Sequence, residues 1–427
     1  MRLVYLTHRF LPDHFRGTEV YTFELAQEMQ RRGHQVLVVA LRELKEDGGI
    51  SVVRDRYQGL EVARICKRLR PDRFEDYFFD PELDRVFTDI IQDFQPAAVH
   101  ATYFLGGLSL GMLESVAGGI PFFITITDYS ALCPRGQLLD RDLKLCSGPR
   151  QGVRCLYCLF DRTWLFKNAR LDRWAREYLP AWLGKWTKSP ELALVRKRNR
   201  AIAKILGSAK TVIFAHPLTL MLFRKEEIKL ANPRLLDFGV DYAPFREHRK
   251  IPSDRMRIGF IGQILPHKGL HILAEALAGI SDQDAFELKI YGSLSDPAEK
   301  AYFDSLKLDR IKHQKWLGTF DYSLMNQVLE GIDLLVVPSI WPENCPLIPK
   351  YALLTGTRLL LSDAPGILVR SEGEGMDIVG IGKAAGMRAK IEDLVKTGKW
   401  QGRLEPRAGL VMRLQDHAEA LERMYRE

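Results

Sequence analysis

Lys268 stands beside a glycine in GFIGQILPHKGL (259–270), where an apolar run gives way to a helical pattern. An ammonium in such a place adds a point charge to the positive end of a helix, a combination that grips diphosphates. A solvated surface lysine fits the same letters. In FRGTEVY (15–21), Gly17 and Thr18 open another helix, where backbone N–H groups can approach an anion. Glycine in such a turn can equally be purely conformational. Between Trp341 and Pro346, in SIWPENCPLIPKYALLTG (339–356), a lone carboxylate, Glu343, sits with an amide and a cysteine between two prolines. A helix-like segment follows at once. Finally, Thr127 and Asp128 end the apolar run of ITITDYSALCPRG (124–136). Asp128 suits a catalytic group at a strand end, or simply a turn-forming residue.

Two further clusters are chemical in character. Cys133, Cys146, Cys155 and Cys158 follow the spacing C-x12-C-x8-C-x2-C in a stretch rich in Gly and Pro, while Cys66 and Cys345 stand apart. That spacing suits a closed, structural zinc site with four thiolate ligands, the alternative being four unrelated thiols. Disulfides would need an oxidising compartment, which nothing in the sequence indicates. The stretch 161–204 then carries Trp164, Trp174, Trp182 and Trp186 with twelve Lys or Arg against four acids. Trp and cations at helical spacing suit an interfacial helix on an anionic membrane, or a helix that packs its Trp inward and solvates its basic face. Nucleic acid would also take basic and aromatic residues, but no nucleic-acid motif accompanies them, so no nucleic-acid partner is expected.

The elements that position these residues alternate in period along the chain. RLVYL (2–6), QVLVVA (35–40), AAVHAT (97–102) and PFFITIT (121–127) are nearly continuous apolar runs, as buried parallel strands require. RIGFIGQ (257–263), ELKIYG (287–292), DLLVVPS (333–339) and TRLLLSD (357–363) repeat the pattern. Amphipathic helices are expected over 18–33, 269–280 and 413–427. This βαβ recurrence predicts an α/β chain of two Rossmann-like doubly wound domains facing a central cleft. The divisions expected are 1–240, with a Cys-rich insertion at about 130–160 and the basic helices of 161–204; 241–410; and a last helix, 411–427, returning to the first domain.

A chain of 427 residues is too long for one ordinary core, and 46% hydrophobic with 27% charged residues marks a globular protein. The net charge of +8 suits phosphate-bearing partners. With no apparent signal peptide and no spanning run, a cytoplasmic location is expected, with the inner membrane face as a peripheral site.

Taken together, RGTE (16–19), GHQVLVVA (33–40), GQILPHKG (262–269), FGVD (238–241) and PSIWPENCPLIPKYALLTG (338–356) resemble the family-four retaining glycosyltransferases of the GT-B fold. The resemblance implies transfer of a sugar from a nucleotide-sugar donor, such as a UDP- or GDP-sugar, to a saccharide or lipid-linked acceptor, without a catalytic metal. It implies that Glu343 contacts donor-sugar hydroxyls and that Lys268 and Gln263 face the diphosphate. By the same resemblance, Asn344, Cys345 and Leu347 help to hold the donor, Gly17 and Thr18 close over phosphates, and Thr127 and Asp128 face the acceptor. Departures are specific. Tyr351 stands where the family has a second Glu gripping the ribose, Thr127 where it has His, Gln263 where it has Arg, and Val369 where an acid is expected. A sugar- or nucleotide-binding partner subunit without activity is the alternative.

Overall fold

The structure, a computed structural model, describes residues 1–46, 48–70, 74–140, 142–146, 148–149, 152–159, 190–367, 375–402 and 404–427. Its two compact units are Met1–Asp237 with Ala418–Glu427, and Phe238–His417. The four Trp of the basic stretch and Val369 lie outside the described residues.

In the first unit, β1 (Arg2–Thr7), β2 (Gln35–Glu43), β3 (Ser51–Tyr57), β4 (Leu60–Lys67), β5 (Ala98–Ala101), β6 (Phe122–Ile126), β7 (Thr211–Phe214) and β8 (Pro233–Leu235) form one sheet. Its order is β3-β4-β2-β1-β5-β6-β7-β8. All pairings are parallel except β3 with β4. That exception is a hairpin whose two loop residues, Gln58 and Gly59, have φ of 46° and 87°. Such a left-handed pair matches the twist of the flanking strands. The expected strands at 2–6, 35–40, 97–102 and 121–127 are the central four, and they are buried because helices cover a parallel sheet on both faces. Beneath the sheet, His100 of β5 accepts or donates at both ring nitrogens, to Tyr425 Oη at 2.5 Å and Thr125 Oγ1 at 2.7 Å. Tyr425 belongs to the last helix, Leu414–Arg426, so a buried polar string ties that helix to the middle of the sheet.

In the second unit, β9 (Met256–Ile261), β10 (Phe286–Tyr291), β11 (Gln314–Gly318), β12 (Leu334–Val337), β13 (Arg358–Ser362) and β14 (Met376–Val379) run parallel in the order β11-β10-β9-β12-β13-β14. The order reverses between β9 and β12, the switch point where open α/β sheets leave a crevice beyond the strand ends. At the opposite end of this pair, Asp333 is buried and takes a fork from Arg257, with Nε to Oδ2 and Nη2 to Oδ1 both at 2.9 Å. The Arg257 amide adds 2.8 Å to Oδ2 and Lys250 Nζ lies 2.9 Å from Oδ1. Those bonds hold the Asp333 carboxyl below its usual range against the opposing effect of burial. Removing one partner would strand buried cations. Asp333→Ala is therefore expected to destabilise the second unit by about 3–5 kcal/mol, read as a lowered urea midpoint.

Candidate functional site

The crevice of the second unit collects the residues that the sequence marks. Lys268 ends a short 3-10 turn, Pro266–Lys268, after β9, and Glu343 lies in the loop after β12. They are 75 residues apart in sequence, yet Lys268 Nζ donates to both Glu343 oxygens, at 2.8 and 3.1 Å. Ser339 Oγ donates to Oε1 at 2.6 Å, and Ser339 is itself fixed through its carbonyl by Ser362 Oγ at 2.5 Å. The Lys268 ammonium also lies 4.7 Å from the centre of the Trp341 ring, a cation–π contact.

Backbone contacts hold these loops together. Gly269 has φ +76°, and a Cβ there would fall 1.8 Å from the Pro338 carbonyl oxygen. Ile340 N donates to His267 O at 2.9 Å, which binds the Lys268 turn to the loop after β12. On the other side, Glu343 N donates to Pro365 O at 2.7 Å, and a Cβ on Gly366 would meet Glu343 O at 1.9 Å. Both glycines are thus required by close backbone approach as well as by positive φ.

The other residues that the sequence marks in this unit have different surroundings. Gln263 is half-buried in the turn at the end of β9, and Asn344 is buried. Cys345 takes a left-handed φ of 58°, and its amide donates to Gly366 O at 3.4 Å. Leu347 opens the helix Leu347–Thr355, so its amide is one of those a helix leaves without an internal acceptor. Tyr351 is 1% exposed, stacks on Phe245 with ring centres 5.2 Å apart, and accepts a hydrogen bond from Tyr322 Oη at 2.9 Å. The helix carries Tyr351 on its inner side because that side is core.

In the first unit, Gly17 opens the helix Gly17–Arg31 with Thr18 behind it, and a Cβ on Gly17 would meet open space. Thr127 Oγ1 donates to Thr102 O at 3.0 Å. Asp128 accepts from Ser130 N at 2.8 Å, Ser130 Oγ at 2.7 Å and Tyr103 Oη at 3.2 Å. Burial raises its carboxyl above the usual range, opposed by those bonds. A small cavity is lined by Thr102, Tyr103, Thr127, Asp128 and Ala131. Glu19 of RGTE, with His8 and Arg198, which the sequence did not mark, completes the group. The His8 ring packs on Tyr103 at 4.1 Å, Glu19 lies 3.7 Å from His8 Nε2, and the buried guanidinium of Arg198 donates to Ser130 O. The one available signal was position, because His8 directly follows β1.

The expected zinc site finds no support among the described residues. Among the described residues, no three His, Cys, Asp or Glu side chains are arranged to hold a metal ion. Cys133, Cys146, Cys155 and Cys158 do come within electrostatic reach of one another. Burial, reinforced by neighbouring thiols, raises Cys146, Cys155 and Cys158 above the usual thiol range. Cys146 Sγ turns to the Gly148 carbonyl at 3.5 Å and Arg135 bonds to Cys158. No helix among the described residues is long and apolar enough to cross a membrane.

Two units, each with a parallel sheet wound about a switch point, define the GT-B class. Comparison with known proteins agrees. The glycosyl transferase 4-like domain model matches residues 16–187, and the glycosyl transferases group 1 model matches residues 241–404. The chain belongs to the group 1 glycosyltransferases. It is 31% identical over 109 residues to soluble starch synthase 2-2 of Oryza sativa subsp. japonica, a stretch covering 25% of this chain and 15% of that protein. Among solved structures it is similar to sucrose-phosphate synthase from Thermosynechococcus elongatus (TM-score 0.71, 16% identity, covering 100% and 98% of the two chains). It is also similar to Anabaena HepE in complex with UDP and glucose (0.65, 13%, 100% and 99%). These structural likenesses establish the fold.

Glu19 generates a test of the first-unit cluster. Burial pushes its carboxyl from 4.5 up to about 7, opposed by the backbone amides of Glu19 and Arg16 and the charges of Arg16 and Arg9. Between those pH values the folded chain keeps a proton that the unfolded chain has released. Glu19 therefore costs stability as pH rises through this window, on the order of 3 kcal/mol in all. His8, lowered to about 3 by burial, acts oppositely below 6.5. Urea unfolding of Glu19→Gln against wild type isolates the first term. The gain in the variant should grow from pH 4.5 to 7 and stay flat above.

Proposed function

We propose that the protein is a retaining glycosyltransferase that moves a sugar from a nucleoside-diphosphate donor to a saccharide or lipid-linked acceptor, in surface polysaccharide or glycolipid synthesis. The observation that carries this reading is the meeting of Lys268 and Glu343 at the switch point of the second unit, in a group 1 chain. Cleavage of the donor's glycosidic bond leaves negative charge on the diphosphate. The Lys268 ammonium and the amides at the start of the helix Leu347–Thr355 are preorganised partners for that charge, worth most where water is excluded. Glu343 accepts hydrogen bonds from donor-sugar hydroxyls and so orients the anomeric carbon, while Gln263 and Asn344 flank the donor. The fold relative crystallised with UDP and glucose supports a uridine nucleotide as the first donor to try.

Gly17 and Thr18 serve phosphate at the head of the first helix. Thr127 and Asp128 hold the acceptor, with Asp128 oriented by Ser130 and Tyr103. A second reading, a binding partner without turnover, is favoured by one feature: Tyr351 puts a buried phenol where the family has a carboxylate.

A thermal-shift series with UDP, GDP, ADP and CMP separates the possibilities. One nucleotide should stabilise the protein by about 2.7 kcal/mol at a hundredfold excess over its dissociation constant. Lys268→Ala should weaken that binding by about 10- to 100-fold, the loss of one charge-assisted bond. In a transfer assay with the identified donor, Lys268→Ala and Glu343→Ala should both abolish turnover. No shift with any nucleotide would sink the donor-binding reading, and binding without transfer to any saccharide or lipid-linked acceptor would favour the partner subunit.

A further inference from the structure

Resting on that donor-binding reading, the geometry points to a competition: we infer that Glu343 masks Lys268 in the unliganded protein, and that the donor's diphosphate must take the ammonium from Glu343 before the carboxylate can receive the sugar. Glu343 then selects intact nucleotide-sugar over free nucleotide or pyrophosphate.

The two members of the pair are not equally free to move. Glu343 is 3% exposed, its backbone is pinned to Pro365, Gly366 packs against its carbonyl, and Ser339 holds one of its oxygens. Lys268 has a side chain 20% exposed on a flexible stem. Its ammonium spends two donors on Glu343 and faces the Trp341 ring. When a polyanion arrives, the lysine swings and the carboxylate stays.

The consequence for affinity follows from charge. A diphosphate without a sugar captures Lys268 but takes the ammonium from the buried Glu343 carboxylate, and that loss offsets its gain. A nucleotide-sugar brings hydroxyl donors that replace the ammonium at Glu343, so the handover completes. Binding energy from the sugar is thereby spent on releasing the lysine to the leaving group. Trp341 offers the ammonium a retained face throughout the movement, because a cation–π contact is tolerant of where the charge sits above the ring.

The test compares inorganic pyrophosphate, UDP and UDP-glucose on the full-length chain by calorimetry, with folding checked by circular dichroism. Glu343→Gln removes the competing charge. It should bind pyrophosphate and UDP roughly five- to tenfold more tightly than wild type while losing the preference for nucleotide-sugar. Ser339→Ala should act in the opposite direction. With one fewer donor to Oε1, the carboxylate leans harder on Lys268, and pyrophosphate binding should weaken about twofold. Ser339→Ala is a small change and keeps the idea testable should Glu343→Gln fail to fold. Unchanged or weaker pyrophosphate binding in Glu343→Gln, or unchanged binding in Ser339→Ala, would overturn the masking. Absence of any nucleotide binding by wild type and both variants would instead overturn the donor reading itself.

Discussion

The second unit depends on how β9 and β12 are held side by side where the strand order reverses. At one end the pair is clamped by the Arg257–Asp333 fork, and at the other it releases two loops that cross immediately. Parallel strands without that clamp would still bury their apolar faces, but Arg257 and Lys250 would lose the buried carboxylate they share. The clamp is also why the chemistry is local. Lys268 and Glu343 meet through a turn of a few residues on each side, not through a long lid, so their separation is set by backbone contacts at Gly269 and Gly366. Precision at a charged site costs little when the scaffold has already been ordered for other reasons.

The first unit uses the same geometry with different contents. Its group at the ends of β1, β5 and β6 is built from hydroxyls, an imidazole and two carboxyls raised by burial, with no cation of its own on the hydrogen bonds to Asp128. Arg198 acts from behind, through the Ser130 carbonyl. Such a surface is suited to hydroxyl groups, which exchange hydrogen bonds one at a time, whereas the second unit is suited to a polyanion. That contrast lies in the residues themselves and not in the fold, which the two units share.

Much of this was legible from letters alone. Central strands were legible because parallel strands are apolar on both faces, and the chemically interesting turns because glycine and proline punctuate them. The peripheral strands were not. β3 is mostly exposed, β8 has three residues, and the edge strand β11 carries Trp316 and Leu317 outward, so none shows a buried period. Glu343 stood out by its odd surroundings, while Ser339, the residue that holds it, read only as part of a strand end. Arg198, and the burial of the Glu19 that RGTE had marked, were hidden for a simpler reason. Both residues sit in amphipathic helices, where an acid or an arginine is ordinarily solvated, and only tertiary packing buries them. The four cysteines were grouped by their spacing, and the fold does bring them within electrostatic reach of one another.

Tyr351 closes the account of what changed relative to the pattern this chain resembles. Its hydroxyl meets Tyr322 inside the core, so the position has passed from the ligand's side of the helix chemistry to the protein's own packing. Beside that position, the acid expected at Val369, the Arg expected at Gln263 and the His expected at Thr127 are also replaced in this chain. Two acids and one cation of the pattern are thus replaced by neutral side chains. Relative to the pattern this chain resembles, more carboxylates than cations are removed, so the subtraction is not balanced. Among the described residues, Lys268 and Glu343 bring opposite charges together at this switch point, so losing either one takes from the other a partner now 2.8 Å away.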